Sequence, residues 1–253
     1  MQLNGLPGTA PMEQTVLRSE ASGKASLPRI CITLPGLITT YKKAKKLFGK
    51  NQLVESEKLL ASIFAHIPLL VVDQPDQDQL VRELLGGCRE YMTGIRLETE
   101  RRRTKEIGDL QRSLELNCYF TKCGLDQAHL ALVVLKTAML TAFKAKNFIT
   151  AESFARRLLD MDKLPEKLRK QATKVVQKSQ QEGRNAMKLN YQPDQKFDLC
   201  GISFTPIPQG RDLVRCPYCG TAYLPEHSNQ LCKTCNISSV GVETVGLTCM
   251  VTR

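Results

Sequence analysis

Two cysteine pairs, Cys216-Pro-Tyr-Cys219 and Cys232-Lys-Thr-Cys235, stand twelve residues apart near the end of the chain. Each pair can place two sulfur atoms on one metal ion, and the intervening loop lets the pairs meet. Four thiolates in a tetrahedron suit a structural zinc ion, which accepts soft sulfur ligands and has no geometric preference of its own. The spacing therefore predicts a Zn²⁺ site made by Cys216, Cys219, Cys232 and Cys235. Because four cysteines fill the coordination sphere, we expect the ion to hold the fold together and do no chemistry.

Two alternatives compete with this ligand set. The cysteines could form disulfide bonds, but no secretory signal precedes them, and we expect a reducing compartment. His227 lies between the two pairs and could replace one thiolate, although four cysteines make that unnecessary.

The residues around the cysteines predict a small β-rich module over 191–253. Phe197–Thr205 and Leu213–Cys216 are short extended stretches that flank Pro206-Ile-Pro-Gln-Gly210, and Val240–Val251 is again strand-like. A module of this size buries only a small core, which gives a metal ion a structural task.

Residues 29–190 predict an α-helical domain. In the first helix Thr33 is the expected cap, Pro35 lies in the first turn, and Leu37, Tyr41, Ala44 and Leu47 recur on one face. The second helix, with Leu53, Ser56, Leu60, Ile63 and Phe64 facing inward, completes a pair that resembles a tetratricopeptide repeat. A similar pair covers Ala138–Leu159, with Asn147 at its turn. Further helices are expected at about 76–116, 117–124 and 165–186.

The predicted fold class is therefore mainly α: an irregular, repeat-like helical hairpin or bundle followed by a β-rich module stapled by zinc. Residues 1–28 are rich in Gly, Pro, Ser, Ala and Thr and are predicted to be a disordered tail or linker. The two repeat-like pairs lie 95 residues apart, from Ala44 to Met139, which is no multiple of the 34-residue repeat, so a regular tandem array is not expected.

The net charge of +11 is unevenly placed along the 253 residues. Residues 1–28 sum to zero, and residues 191–253 hold five basic and five acidic side chains, so the excess lies in 29–190. A basic surface attracts nucleic acid, anionic lipid or an acidic protein, although a solvated helix face accounts for it equally well. No apolar run approaches the roughly 20 residues that cross a bilayer.

Patterns of catalysis are missing from the sequence. It has no phosphate-binding glycine loop, no nucleophile elbow and no histidine–glutamate metalloprotease motif. The expected core thiols are Cys31, Cys88, Cys118 and Cys123, while Cys200 and Cys249 have no partner at ligand spacing. We therefore expect a protein that is not an enzyme.

A zinc-ribbon adaptor that binds nucleic acid is the alternative function. Arg101-Arg102-Arg103 could contact phosphate, but a mixed-charge helix end explains the run more simply, because Glu98 and Glu100 precede it. A ribbon that grips DNA or RNA should itself be basic, and residues 191–253 are formally neutral. This balance weighs against nucleic acid as a partner.

Several segments, in this order, resemble the C-terminal domain of the coatomer alpha subunit over roughly residues 34–253. They are Ile67-Pro-Leu-Leu-Val-Val-Asp73, Cys88-Arg-Glu-Tyr-Met-Thr-Gly94, Glu98-Thr-Glu-Arg101, Lys146-Asn-Phe148, Phe154-Ala-Arg-Arg-Leu-Leu159, Leu189-Asn-Tyr191, Phe197-Asp-Leu-Cys200 and Cys216-Pro217. The resemblance implies a fragment of a longer chain whose N-terminal β-propellers read dilysine signals on cargo. Cargo recognition therefore lies outside these residues.

The resemblance also implies a structural role in the COPI vesicle coat, which acts between Golgi and endoplasmic reticulum and within the Golgi. In that family the domain binds the epsilon subunit, a tetratricopeptide-repeat protein, and reaches the cytosolic face of Golgi membranes and vesicles through the coat. No nucleic acid and no small-molecule substrate are implied.

In the family the epsilon subunit encircles a β-hairpin of this domain. The best candidate here is Phe197–Cys216, turning at Pro206–Gly210 and presenting Phe204, Ile207 and Leu213 to the partner. Those three side chains could equally cover the small core of the zinc module. Some relatives lack the equivalents of Cys219 and Cys235, so the zinc site rests on the spacing in this sequence.

Overall fold

The computed structural model describes residues 2–3, 12–13, 16–17, 29–30, 32–70, 72, 75–162 and 164–242. Most of the predicted tail, Cys31, Cys249 and nearly all of the predicted strand at Val240–Val251 lie outside these residues. The chain forms two compact units, Met1–Met92 with Cys200–Arg253 and Thr93–Leu199. The domain limits expected from composition, 1–28, 29–190 and 191–253, stay a prediction.

The described residues are mainly helical, as predicted. The helices are α1 Leu34–Gly49, α2 Leu53–His66, α3 Pro75–Glu106, α4 Leu110–Phe120, α5 Gln127–His129, α6 Lys136–Lys144, α7 Phe148–Leu159 and α8 Glu166–Glu182. A π-helical segment, Leu130–Leu135, joins α5 to α6, and short 3₁₀ turns cover Ile67–Leu69 and Pro225–His227.

Every described strand is two or three residues long. They are β1 Gln2–Leu3, β2 Met12–Glu13, β3 Val16–Leu17, β4 Arg29–Ile30, β5 Phe197–Leu199, β6 Pro206–Pro208, β7 Val214–Arg215 and β8 Ala222–Tyr223. The pairs β1–β2, β3–β4 and β7–β8 are antiparallel.

The first helical pair forms as the sequence predicts. Thr33 caps α1, and its side chain accepts a hydrogen bond from the backbone N–H of Gly36. Ala44 and Ser56 are fully buried, and the Ser56 hydroxyl donates to the Ala44 carbonyl oxygen at 2.9 Å. Small residues thus let α1 and α2 approach closely enough for a side chain of one helix to reach the backbone of the other.

One core position of α1 differs from the prediction. Leu47 is half-buried, whereas its neighbour Phe48 is almost completely buried. The Phe48 ring meets the ring of Tyr91 in α3 edge-on, with centroids 5.2 Å apart. Helical periodicity allowed either residue to face the core, and the aromatic pair decided between them.

The second helical pair is confirmed in unit Thr93–Leu199. Its template residues are buried: Ala142, Phe148, Ala151, Ala155 and Leu158. The predicted turn residue, Asn147, is also buried, and its amide exchanges two hydrogen bonds with the backbone of Met187. The turn is therefore fixed by the segment that follows α8.

The helix predicted over 76–116 is broken after Glu106. Gly108 has φ +86°, a left-handed conformation that glycine adopts without steric cost, and it ends α3. Asp109 then caps α4, because its carboxylate accepts a hydrogen bond from the N–H of Arg112 at 2.9 Å. These two residues are a stop signal and a start signal side by side. The last predicted helix ends where expected, at Gly183 with φ +59°.

The hairpin predicted over Phe197–Cys216 does not form as expected. The segment Pro206–Pro208 is a strand rather than a turn, because two prolines hold it extended. The chain turns earlier, where the N–H of Phe204 donates to the Cys200 carbonyl oxygen at 3.0 Å, and again at Gly210. Strand β7 pairs with β8 instead of returning along β5, with Val214 opposite Tyr223.

None of the helices in the described ranges is long and apolar enough to span a membrane.

Two glycines give a matched test of the break at Gly108. Gly108→Ala should lower the free energy of unfolding by about 1 kcal/mol, because alanine is strained at positive φ. Gly86→Ala in α3 should raise it by about 0.5 kcal/mol, because the added methyl group meets open space and the residue is helical. Urea denaturation midpoints of the two variants measure the difference, and a gain in stability from Gly108→Ala would contradict the assigned turn.

Candidate metal centre

The first cysteine pair lies in the turn between β7 and β8. The carbonyl oxygen of Cys216 accepts a hydrogen bond from the N–H of Gly220 at 2.9 Å, and Gly220 has φ +74°. The N–H of Cys219 points back at the sulfur of Cys216 at 3.5 Å. This tight turn brings both sulfur atoms to one side of the backbone.

The second pair repeats the same turn. The carbonyl oxygen of Cys232 accepts from the N–H of Asn236 at 2.9 Å, and Asn236 is left-handed with φ +55°. Asparagine tolerates this conformation better than most residues with a side chain. The two turns thus present their sulfurs with the same local geometry.

The four sulfur atoms converge. All lie within 4.8 Å of one another, with Cys219 3.5 Å from Cys232 and Cys216 3.7 Å from Cys235. A disulfide bond requires about 2.05 Å, so the thiols are free and the disulfide alternative is wrong. A tetrahedron with metal–sulfur bonds of about 2.3 Å has sulfur–sulfur edges of about 3.8 Å. The cluster therefore fits a tetrahedral metal ion.

The electrostatics of the four thiols point the same way. Hydrogen bonds from Cys216, Cys219 and Cys235 lower the pKa of Cys232, whereas burial raises the pKa of Cys219. Packed thiols cannot all ionise beside one another without a counter-charge, and a bound dication supplies it. His227 does not belong to this cluster; its Nε2 atom lies 3.5 Å from a Glu226 carboxylate oxygen.

Two hydroxyl groups surround the sulfurs, and sequence reasoning missed both. Thr221 Oγ1 lies 3.1 Å from the sulfur of Cys219, and the Tyr223 hydroxyl lies 3.0 Å from the sulfur of Cys232. The Tyr223 oxygen also accepts from the N–H of Lys233 at 3.1 Å, which leaves its proton for the sulfur. Such contacts orient metal ligands and stabilise their charge. The available signal was the run Cys219-Gly-Thr-Ala-Tyr223.

The first cysteine turn is docked onto helices of its own unit. The Tyr218 hydroxyl donates to the Phe64 carbonyl oxygen of α2 at 2.8 Å. The Arg89 guanidinium of α3 lies 3.5 Å from the Cys219 carbonyl oxygen. It is also so close to Gly220 that a methyl group on that residue would lie 3.0 Å from an Arg89 nitrogen. A metal ion held here would therefore brace short strands against the helices.

A third turn of the same shape begins at Cys200. The N–H of Phe204, at φ +51°, donates to the Cys200 carbonyl oxygen, and Ser203 stands where the other turns have their second cysteine. Although burial raises the pKa of Cys200, hydrogen bonds from the Ser203 hydroxyl and from backbone N–H groups lower it below the ordinary value. Cys200 lies outside the four-sulfur cluster.

The predicted core thiols that lie within the described residues are confirmed. Cys88, Cys118 and Cys123 are buried, and burial raises the pKa of Cys88 and of Cys118. A thiol held protonated in an apolar core is a poor nucleophile.

The three residues expected to contact a partner have different environments. Phe204 and Ile207 are buried, and Leu213 is half-buried. The burial of the first two fits the alternative that they cover the core of their own module.

The arginine run of α3 is paired with glutamates on its own helix. Arg101 and Arg102 both bind Glu98, at 2.6 and 2.8 Å, and Arg103 binds Glu100 at 2.7 Å. The mixed-charge helix end expected from the sequence is what forms. Burial opposes ionisation of Glu98, but its two arginine partners lower its pKa overall.

The fold and the site together define the class of protein. It is a mainly helical chain whose short C-terminal strands lie around four convergent thiols. A family model described as the C-terminus of the coatomer (COPI) alpha subunit matches residues 1–253. Coatomer subunit alpha-2 of Oryza sativa subsp. japonica is 36% identical over 226 residues, 89% of this chain and 18% of the relative. Coatomer subunit alpha of Dictyostelium discoideum is 36% identical, covering 88% of this chain and 19% of the relative.

The yeast relative, coatomer subunit alpha of Saccharomyces cerevisiae, is 34% identical over 85% of this chain and 18% of its own length. The chain belongs to the family formed by the C-terminal region of coatomer alpha, which confirms the resemblance seen in the sequence. It spans about a fifth of the length of the curated relatives it matches.

Removal of one sulfur tests the metal centre. Cys219→Ser should lower bound metal from one ion per chain to a small fraction, because three thiolates and a hydroxyl hold a soft ion poorly. Elemental analysis of purified protein measures the ratio. Cys123→Ala is the control, since its thiol is buried away from the cluster, and it should keep the metal. A folded wild-type protein without metal would refute the site.

The Glu98 cluster predicts a pH-dependent stability. The pKa of Glu98 is lower in the folded protein than in the unfolded chain. Its contribution to the free energy of unfolding is therefore present above the unfolded-state pKa and disappears as the pH falls through the folded-state pKa. Glu98→Gln should therefore cost about 2 kcal/mol at neutral pH and clearly less near pH 3, which lies below the ordinary pKa of a glutamate. Glu100→Gln, whose partner Arg103 is largely exposed, should cost less than about 1 kcal/mol. Urea melts at both pH values separate these outcomes, and equal costs would contradict the assignment.

Proposed function

We propose that this chain is the C-terminal assembly domain of a COPI coat alpha subunit and that it binds the epsilon subunit. Membership of the coatomer alpha family over the whole chain is the observation that carries the proposal. The coat would use the domain in transport from Golgi to endoplasmic reticulum and within the Golgi. Cargo recognition belongs to parts of the alpha subunit other than these residues.

The role we assign is structural. Among the described residues, the four cysteines are the one group of histidine, cysteine and acidic side chains that could hold a metal ion, and they leave no ligand position for water or substrate. We propose that the ion is Zn²⁺. Cys216, Cys219, Cys232 and Cys235 would hold it, and it would supply a fixed tetrahedral crosslink. A protein built this way offers surfaces to partners and carries out no reaction.

The surface around Leu213 is the epsilon contact that we propose. Leu213 is half-buried and directly precedes β7, which leads into the first cysteine turn. Phe204 and Ile207 are buried in the same unit and would support this surface from beneath. The domain would then reach Golgi membranes and vesicles from the cytosolic side, through the coat.

Co-elution from a sizing column tests the epsilon contact. The wild-type chain should elute with an epsilon-like tetratricopeptide-repeat protein, and Leu213→Asp should weaken the complex at least about tenfold by burying a charge at the contact. Val54→Asp is the matched control, because Val54 is 60% exposed on α2, and it should bind normally. Binding that survives Leu213→Asp would place the contact elsewhere. Salt-dependent binding to arbitrary DNA would favour the zinc-ribbon adaptor instead.

A further inference from the structure

Helix α8 carries a line of lysines along one side. Lys167, Lys170, Lys174 and Lys178 recur at spacings of three and four residues, which places them on one face, and all four are exposed. From Lys167 to Lys178, a span of twelve residues, this line is about 16 Å long. We refer to it as the lysine line.

The lysine line is fixed in place by the packing of α8. A different side of the same helix buries Leu168, Ala172, Val175 and Ser179. Three of these belong to the hydrophobic core that α8 shares with α6 and α7, so the rotation of the helix is set. The lysines therefore face solvent as a consequence of the core.

Acidic side chains neutralise little of the positive charge on the lysine line. Glu166 lies 3.8 Å from Lys170, but both side chains are more than 70% exposed, so the pair contributes little. The three consecutive arginines near the end of α3, Arg101 to Arg103, differ, because each one binds a glutamate of the same helix end at 2.8 Å or less. Positive charge is thus neutralised on α3 and left available on α8.

An apolar line meets the lysine line at its Lys178 end. It consists of Leu132 in the π-helical segment and Leu140 and Phe143 in α6, at spacings that share a helix face. Leu132 is 47% exposed, and the other two are half-buried. The ammonium group of Lys178 lies 5.7 Å from the centre of the Phe143 ring, so the two lines are in contact at this end.

We propose that these two lines form a docking groove for an acidic amphipathic segment of a partner protein. Carboxylates on one side of the segment would face Lys167, Lys174 and Lys178. Apolar side chains on its other side would pack on Leu132, Leu140 and Phe143. A helix or strand with segregated charge has this pattern, and grooves between helices are common receptors for such segments.

The depth of the apolar line favours a peptide over a membrane. Leu140 and Phe143 are half-buried, and the Lys178 head group lies over the Phe143 ring. A helix on a lipid surface buries an exposed apolar face about 5 to 10 Å into the boundary between head groups and acyl chains. Recessed side chains beneath lysine heads are instead reached by individual side chains of a narrow ligand.

A designed peptide tests the groove directly. The probe is a fluorescein-labelled 16-residue peptide with glutamates on one helical face and leucines on the other, titrated with the full chain and followed by anisotropy. Lys174→Glu with Lys178→Glu should weaken binding about tenfold or more, because attraction becomes repulsion. Leu132→Ser should weaken it about threefold through lost apolar contact.

Matched variants control for net charge and for general hydrophobicity. Lys42→Glu with Lys43→Glu makes the same charge change on the exposed side of α1, and Ile149→Ser removes an apolar side chain that is 51% exposed on α7. Both variants should leave the affinity within about twofold of wild type, since the changed residues belong to neither of the two lines. Circular dichroism confirms that each variant is folded.

Two results would overturn the groove. Equal losses from the α8 and α1 lysine variants would mean that the peptide senses only net charge. Binding to phosphatidylserine vesicles that depends on the lysine line, without binding to the peptide, would assign the surface to lipid. The proposed epsilon contact is tested separately, at Leu213. If that proposal fails, the outcome of the peptide experiment is unaffected.

Discussion

The convergence of four sulfur atoms is the constraint on which the C-terminal strands depend. Strands of two or three residues have too few ladder hydrogen bonds to be stable alone, and a module of this size buries little apolar surface. The two cysteine turns solve this problem by bringing Cys216, Cys219, Cys232 and Cys235 within 4.8 Å of one another. A metal ion at their centre would tie the ends of β7 and β8 to the segment that follows.

The effect of this crosslink extends to the helices of the same unit. Tyr218 lies inside the first cysteine turn and donates to the backbone of α2, while Arg89 of α3 covers the Cys219 carbonyl. Binding energy at a structural metal site is folding energy, because the unfolded chain has no such site. A metal ion held there would therefore stabilise more than its own loop, and its loss would also release the contacts made by Tyr218.

Whether a basic stretch of this protein can attract a partner depends on whether its side chains pair with carboxylates, more than on how many basic residues it has. The three consecutive arginines of α3 attract attention in the sequence, yet each binds a glutamate one helical turn away. The lysines of α8 are spread over twelve residues and are less conspicuous, but they line up on one exposed face. The arginine run thus stabilises a helix end, and the dispersed lysines make the surface that can attract an acidic partner.

The sequence by itself determined whatever depends on local chemistry. Cysteine spacing identified the four thiols that converge, Thr33 and Gly183 marked helix ends, and Ala44 with Ser56 marked the close approach of α1 and α2. These features were predictable because a helix cap or a turn between two cysteines depends on residues only a few positions apart in the sequence. Family membership was equally readable, from motifs between Ile67 and Pro217.

Tertiary structure decided the rest, because those choices compare contacts between residues far apart in sequence. Phe48 entered the core in place of Leu47 since the Tyr91 ring was there to receive it. Strand β7 paired with β8, not with β5, since the cysteine turn closes that hairpin. Tyr223 reached the Cys232 sulfur, and Lys178 reached the Phe143 ring, only after separate elements had packed. Periodicity reports which face of an element is apolar, but it does not report what that face will meet.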